Sequence, residues 1–265
     1  MSKRLSDEQI RDFWSQQAIE YGQSPSASWS DHPVIDMEIA QITRYLDDGD
    51  RVLDVGCANG FSTIHYAVTR AVRVLGVDYI PEMIEVAHQR VATLNEQVRA
   101  QVEFAVGDAT GLDLPDQKFD KVVTVRVIIN LGDWPNQLKG ILECCRVLKS
   151  GGLLLMSEAT VQGWQRLNAL RKEWGLDSIP MPGFNNYLDE DQVIEALQPQ
   201  MELQDIVNFA STYFVGTRIL KPLLARACGL DVDVADPNME WNRWFSQLPA
   251  AGDYGTQKLF VFRKK

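Results

Sequence analysis

The chain alternates short apolar runs with longer stretches in which apolar residues recur every three or four positions. Ile10, Phe13, Trp14, Ala18 and Tyr21 fall at near-helical spacing and predict one amphipathic helix. Residues 22–28 break that spacing and predict a loop. Ile35, Ile39, Ile42 and Leu46 predict a second helix after Asp31, with Pro33 in its first turn and the acidic segment 47–50 closing it. From Arg51 the pattern changes. Segments 52–55, 74–77, 102–106, 122–127 and 153–156 are short buried-type strands, and 61–70, 81–95 and 134–148 between them are long and periodic enough for helices. Strand–helix alternation at this spacing means βαβ units and a parallel sheet covered on both faces.

After Glu158 the alternation is interrupted. Residues 149–152 read as a helix end and turn before the fifth strand. Trp164, Leu167, Leu170 and Trp174 predict an inserted helix, and 175–186 a loop with two prolines. Asp189 with Gln192 has capping-box spacing for a helix running to Leu197. Segments 203–215 and 258–262 supply two late strands, separated by a partly helical stretch.

Composition narrows the classes of function. The chain has 265 residues, 45% of them hydrophobic, with 26 Lys and Arg against 36 Asp and Glu and a net charge of −10. That excess of acid argues against a nucleic-acid partner, which needs a basic face. No run of apolar residues has the length of a membrane span or a signal peptide. The four cysteines lack metal-ligand spacing, which predicts reduced thiols, a cytoplasmic location and no metal.

The chemistry concentrates in segment 52–60, Val-Leu-Asp-Val-Gly-Cys-Ala-Asn-Gly, where a strand runs into a glycine-bearing turn that opens a helix. Such a turn lets backbone approach a ligand closely and presents free N–H groups. It lacks two glycines of the dinucleotide fingerprint and the Gly-Lys-Ser/Thr of a P-loop. Asp78 ends the second strand, where a carboxylate accepts from ribose hydroxyls. Asp108 ends the third, in reach of an adenine amino group. Asp54, Asp78 and Asp108 therefore gather at one sheet edge, with Asp54 as the brace of the turn and the weaker ligand. Cys57 reads as a small space-filler.

These motifs, with Gly76-Val-Asp78, Gly107-Asp-Ala109, Phe119-Asp-Lys-Val-Val123 and Arg146-Val-Leu-Lys-Ser-Gly-Gly152, resemble the class I S-adenosylmethionine-dependent methyltransferases of the bacterial small-molecule type. The resemblance covers about residues 52–158. It implies a Rossmann-like, seven-stranded, mostly parallel α/β sheet with helices on both faces, an N-terminal helical cap (1–50) and a methyltransferase domain (51–265) with a lid insertion at about 159–200. The cofactor implied is S-adenosyl-L-methionine. Its site would comprise Tyr21, Asp54, Gly56, Cys57, Ala58, Asn59, Gly60, Asp78, Tyr79, Ile80, Met83, Asp108, Ala109 and Arg126. Gly56 through Gly60 would line the methionine part, Asp78 the ribose, and Asp108 with Ala109 the adenine. Ala58 departs from the glycine common at that position.

Methyl transfer from a sulfonium depends mainly on positioning, and needs a base only for an acceptor such as a hydroxyl. Candidates for catalysis are His32, Arg126, Asn130 and Glu158. Candidates for holding the acceptor are Trp29, Asn130, Asn168, Arg171, Asn185, Tyr187 and Tyr213, with Arg218 as a further wall residue. The acceptor expected is a small metabolite or sugar-type intermediate methylated on O or N, by a monomer or homodimer. A methyltransferase acting on protein or RNA, and a non-catalytic cofactor-binding module, are the alternatives.

Overall fold

A computed structural model of the chain describes residues 5–265. Two helices, α1 (Asp7–Tyr21) and α2 (His32–Thr43), precede the sheet, and a single 3-10 turn at Pro25–Ala27 lies between them. The alternating region follows as β1 (Arg51–Val55), α3 (Phe61–Thr69), β2 (Arg73–Asp78), α4 (Pro81–Ala92), α5 (Glu96–Arg99), β3 (Val102–Val106), β4 (Phe119–Val125), α6 (Trp134–Val147) and β5 (Leu148–Ala159). The rest comprises α7 (Val161–Glu173), α8 (Glu190–Leu197), β6 (Met201–Val207), α9 (Ser211–Val215), α10 (Lys221–Cys228), α11 (Glu240–Ser246) and β7 (Gln257–Lys264). No helix among the described residues is long and apolar enough to cross a membrane.

The seven strands form one sheet in the order β3-β2-β1-β4-β5-β7-β6. All neighbours run parallel except β7, which is antiparallel to β5 and β6. Successive strand residues point to opposite faces, so each strand feeds two cores. Val52, Val123, Leu155 and Val261 pack on the side of α2 and α3; Leu53, Val122, Leu154 and Phe260 pack on the side of α6 and α8. The strand order reverses direction between β1 and β4, which opens a crevice beyond their carboxyl ends.

Local chemistry explains most of the boundaries. Ser6 and Gln9 form a reciprocal capping box that starts α1. The Asp189 carboxylate accepts from the Gln192 N–H at 3.0 Å and starts α8. The helical stripe of α2 is buried at Val34, Ile35, Ile39 and Ile42, and Leu46 stays buried beyond its end.

Four expected boundaries differ. The helix expected over 81–95 breaks into α4 and α5, because the Asn95 side chain caps a new start by accepting from Val98 N–H at 3.0 Å. The fourth strand covers Phe119–Val125 rather than 122–127, since Arg126 turns out of the sheet at φ +56. Residues 149–152 are not a turn before the fifth strand. They are its irregular beginning, with Leu148 paired to Phe119 and the register shifting before Lys121–Leu153. The late strand expected over 203–215 ends at Val207. Its last partner on β7 is Leu259, although β7 itself begins at Gln257, and the residues after Val207 bury Tyr213 and Phe214 as helix α9.

The turn after β1 depends on backbone that only glycine adopts freely. Gly60 has φ +74, and a Cβ there would lie 2.5 Å from Phe104 Cζ and 3.0 Å from Ala87 Cβ. Gly60→Ala is therefore expected to lower stability by about 2–4 kcal/mol through strain and overpacking together. Urea denaturation followed by circular dichroism measures this, and a loss below about 0.5 kcal/mol would contradict it.

Candidate functional site

Beyond the carboxyl ends of β1 to β5 lies a cavity of about 860 Å³. Each strand end contributes to its wall: Gly56 and Ala58 after β1, Asp78 at the end of β2, Asp108 after β3, Val125 and Arg126 at β4, and Ala159 at β5. Helix α1 and the 182–187 segment cover it from the other side through Trp14, Tyr21, Phe184 and Tyr187.

The glycine turn is built around one carboxylate. Gly56, Ala58 and Gly60 all have positive φ, and the Gly56 and Cys57 N–H groups donate to Val77 O at 2.7 and 3.0 Å. Ala58 N–H donates to Asp78 Oδ2 at 2.9 Å, and Ile80 N–H donates to Asp78 Oδ1 at 2.9 Å. Asp78 thus ties the β1–α3 turn to the β2–α4 turn. Burial pushes its pKa up to about 6, against backbone hydrogen bonds that pull it down. Ala58 sits in the left-handed region at φ +46, where a Cβ costs about 1–2 kcal/mol.

The structure separates the other residues of this motif by role. Asp54 does not line the cavity; its Oδ2 accepts from the Thr63 hydroxyl at 2.6 Å, and burial raises its pKa to about 7. Asn59 is also behind the wall, donating to Gly22 O at 2.8 Å and Ser24 O at 2.7 Å, which clamps the entering chain onto the turn. Gly60 faces Phe104, and Cys57 is buried with its thiol pushed up by burial and by Asp78. Tyr79, Ile80, Met83 and Ala109 line the cavity with Asp108, whose Oδ1 accepts from Thr110 N–H at 2.7 Å.

The opposite wall is organised by Arg126. Its guanidinium donates to Glu38, a residue of α2 that is only 1% exposed, and lies 4.8 Å over the Trp29 ring. Glu38 also accepts from Ser157 Oγ and from Gln257 Nε2, the latter at 3.1 Å. A helix, two strands and the Trp29 loop therefore meet at one ion pair. The sequence reading missed Glu38 and Gln257. Glu38 carried a signal, because it is a carboxylate on the apolar face that buries Ile35, Ile39 and Ile42.

Of the residues considered for catalysis, Arg126 and Asn130 line the cavity, and His32 and Glu158 do not. His32 Nε2 lies 2.8 Å from Ser26 Oγ, in the loop before α2. Glu158 is fully buried and accepts from the N–H groups of Val127, Ile128 and Ile129 and from the Thr124 hydroxyl, at 3.0–3.3 Å. It shapes the loop that carries Asn130. Asn130 Nδ2 donates to Arg126 O at 2.7 Å, and its Oδ1 has no partner among the described residues.

Of the residues considered for the acceptor, Trp29, Asn130, Asn185 and Tyr187 line the cavity. Asn168, Arg171 and Tyr213 are elsewhere. Asn168 accepts from Ile179 N–H at 2.8 Å and donates back to Ile179 O at 3.1 Å, fixing the loop after α7. Arg171 donates to Asp177 O at 2.7 Å and to Arg218 O. Tyr213 is buried, with its hydroxyl donating to Asp31 Oδ1 at 2.6 Å. Their side chains belong to tertiary contacts that helical spacing does not reveal. Phe13 and Phe184, not anticipated, stack at 4.9 Å between centroids, and Trp14 meets both edge-on, joining α1 to the 182–187 segment over the cavity.

Comparison with known proteins adds the family. A profile described as a methyltransferase domain matches residues 46–210, more than half of the chain. The chain is 34% identical over 110 residues to 27-O-demethylrifamycin SV methyltransferase of Amycolatopsis mediterranei, covering 42% of this chain and 39% of that protein. It is 32% identical over 114 residues to erythromycin 3''-O-methyltransferase of Saccharopolyspora erythraea, covering 43% and 36%. The aligned stretch thus spans less than two fifths of these curated relatives. In fold, the chain is similar to the crystal structure of the (4+2)-cyclase SpnF, with TM-score 0.61 and 20% identity over 99% of this chain and 98% of that one.

Burial raises the Glu158 pKa to about 7, well above the ordinary carboxylate range of an unfolded chain. The folded protein then holds a proton that the unfolded one has lost between about pH 4.5 and 7, so this group's contribution to stability falls as pH rises through that window. Glu158→Gln cannot titrate. The stability difference, wild type minus variant, is expected to shrink from pH 5 to pH 8 in chemical denaturation, and a constant or widening difference would contradict this.

Proposed function

The chain belongs to the class I S-adenosylmethionine-dependent methyltransferase family, and from that premise we propose that it transfers a methyl group to O or N of a small metabolite or sugar-type intermediate. The observation that carries this reading is the wall of the large cavity: Gly56 and Ala58, Asp78 and Asp108 arrive from three successive strand ends at one crevice. Its volume of about 860 Å³ lies in the range of about 300–1,000 Å³ usual for ligand sites.

The residues present fit an adenosyl donor. Asp78 has spent one lone pair of each oxygen on backbone N–H groups and retains others for ribose hydroxyls. Asp108 and Ala109 would face adenine, with Tyr79, Ile80 and Met83 packing around the adenosine. Gly56 and Ala58 would run beside the methionine part, with Tyr21 and Arg126 closing that end. S-adenosylmethionine, when bound, supplies a methyl group already activated on a sulfonium. The task left to the chain is to align the acceptor and keep water out.

Trp29, Asn130, Asn185 and Tyr187 are the residues we assign to the acceptor. Asn130 and Asn185 each have a buried carbonyl oxygen with no partner among the described residues, and leaving such a group unmet costs about 1–3 kcal/mol. A hydroxyl or amine on the acceptor would supply the missing donor after a small movement of either amide. Burial keeps the Tyr187 phenol protonated, so it acts as a hydrogen-bond donor. Residues 1–50 and about 159–200 would serve as cap and lid, joined by the Phe13–Phe184 stack. Such an enclosure suits a small-molecule acceptor rather than a macromolecule, and the relatives are named for methylating demethylrifamycin SV and erythromycin.

Incubation with isotopically methyl-labelled S-adenosylmethionine and a metabolite extract tests the function. One labelled small product identified by mass is expected; label in macromolecules, or binding without transfer, would overturn it. Asp78→Ala is expected to weaken S-adenosylmethionine binding by about 1–3 kcal/mol in calorimetry, and an unchanged affinity would remove its assigned role.

A further inference from the structure

A second cavity, of about 310 Å³, lies apart from the first, where α7 meets the π-helical turn Gly216–Leu220 and the start of α10. Ile179, Pro222, Val234 and Ala235 make its apolar side. Its polar side is Thr217 with Arg171 and Arg218, two residues that the large cavity does not use.

These guanidinium groups are incompletely satisfied. Arg171 donates two of its five N–H bonds, to Asp177 O and Arg218 O, and no ion pair neutralises it among the described residues. Arg218 donates to Thr217 Oγ1 at 2.8 Å and to Asp31, leaving three N–H bonds without an acceptor among the described residues. Asp31 is itself shared with the Tyr213 hydroxyl. Burial lowers the pKa of Arg171; the exposed Asp177 carboxylate pulls it back up, and repulsion from Arg218 adds a smaller push down. Lys221, buried beside them, is held by Asp236 O at 2.7 Å and Asn242 Oδ1 at 2.9 Å. Three cations thus stand together, with Asp31 paired to Arg218 and Asp177, Asp233 and Asp236 around them. The π-helical turn that carries Thr217 and Arg218 is a rare conformation concentrated at functional sites.

We propose that this cavity binds a small organic phosphate monoester. Its phosphoryl oxygens would accept from the remaining N–H bonds of Arg171 and Arg218, a geometry for which planar guanidinium is suited; Asp31 offsets the charge of Arg218, so Arg171 supplies the net positive charge. Its carbon portion would pack on Ile179, Pro222, Val234 and Ala235. Oxyanion and short apolar tail are thus recognised by opposite sides of one cavity.

Calorimetric titration of the full chain at constant ionic strength tests this, with phenyl phosphate, inorganic phosphate and phenol as probes. Phenyl phosphate is expected to bind at one saturable site, inorganic phosphate more weakly, and phenol not at all. Arg171→Gln is expected to lower phenyl phosphate affinity at least tenfold while S-adenosylhomocysteine binding stays as in wild type. If that variant fails to fold, Ala235→Phe, at an exposed position, fills the cavity and keeps both arginines; it is expected to abolish phenyl phosphate binding. No binding of phenyl phosphate to wild type, or binding within twofold of wild type in the folded variant, would overturn the proposal.

Discussion

One carboxylate holds two turns in place, and the shape of the large cavity follows from it. Asp78 accepts from Ala58 N–H with one oxygen and from Ile80 N–H with the other. The first bond joins those from Gly56 and Cys57 N–H to Val77 O in fixing a turn with three positive-φ residues, and the second sets the entry of α4. Both turns then stand at fixed height above the sheet. Burying a carboxylate is costly, and this one is stabilised by backbone donors rather than by a counter-ion. Charge is thereby left at the cavity wall, facing the space where a ligand's hydroxyls would come.

The facing wall solves a similar problem differently. Arg126 and Glu38 form a buried pair that also engages Ser157, Gln257 and the Trp29 ring. Pairs of this kind add little net stability, but removing either partner strands the other in a low-dielectric interior. What the pair provides is alignment of α2 with β4, β5 and β7. Glu158 acts on the next loop in the same manner, gathering three successive N–H groups so that Asn130 reaches the cavity. The two walls are rigid for separate reasons, and the cover above them is joined by the contacts of Phe13 and Trp14 with Phe184 and by the Leu5 N–H donating to Gly183 O at 3.1 Å.

The sheet was legible in the sequence because each strand is a short apolar run between helices, and Asp78 and Asp108 were legible because they end two such runs. Boundaries were lost where a local event overrides the pattern: the positive φ of Arg126, the Asn95 cap, and the end of the β7 ladder that turns 208–215 away from the sheet. Side-chain destinations were less legible than elements. Asn168 and Arg171, candidates for holding the acceptor, meet a loop and a π-helical turn rather than the large cavity. Tyr213 is drawn to Asp31, 182 residues earlier, by a contact that no local spacing encodes. Glu38 was the reverse case, a charge on an apolar stripe whose partner, Arg126, had been noticed for other reasons.

We propose that an adenosyl group lies across Ala58, Asp78 and Asp108, a reading supported by the family, the wall of three strand ends and the enclosure above it. A crystal structure of the chain with S-adenosylhomocysteine is the most direct measurement. The ribose hydroxyls are expected within hydrogen-bond distance of Asp78 and the adenine beside Asp108 and Ala109. A ligand bound elsewhere, or a crevice that stays empty at saturating ligand in a folded protein, would contradict it.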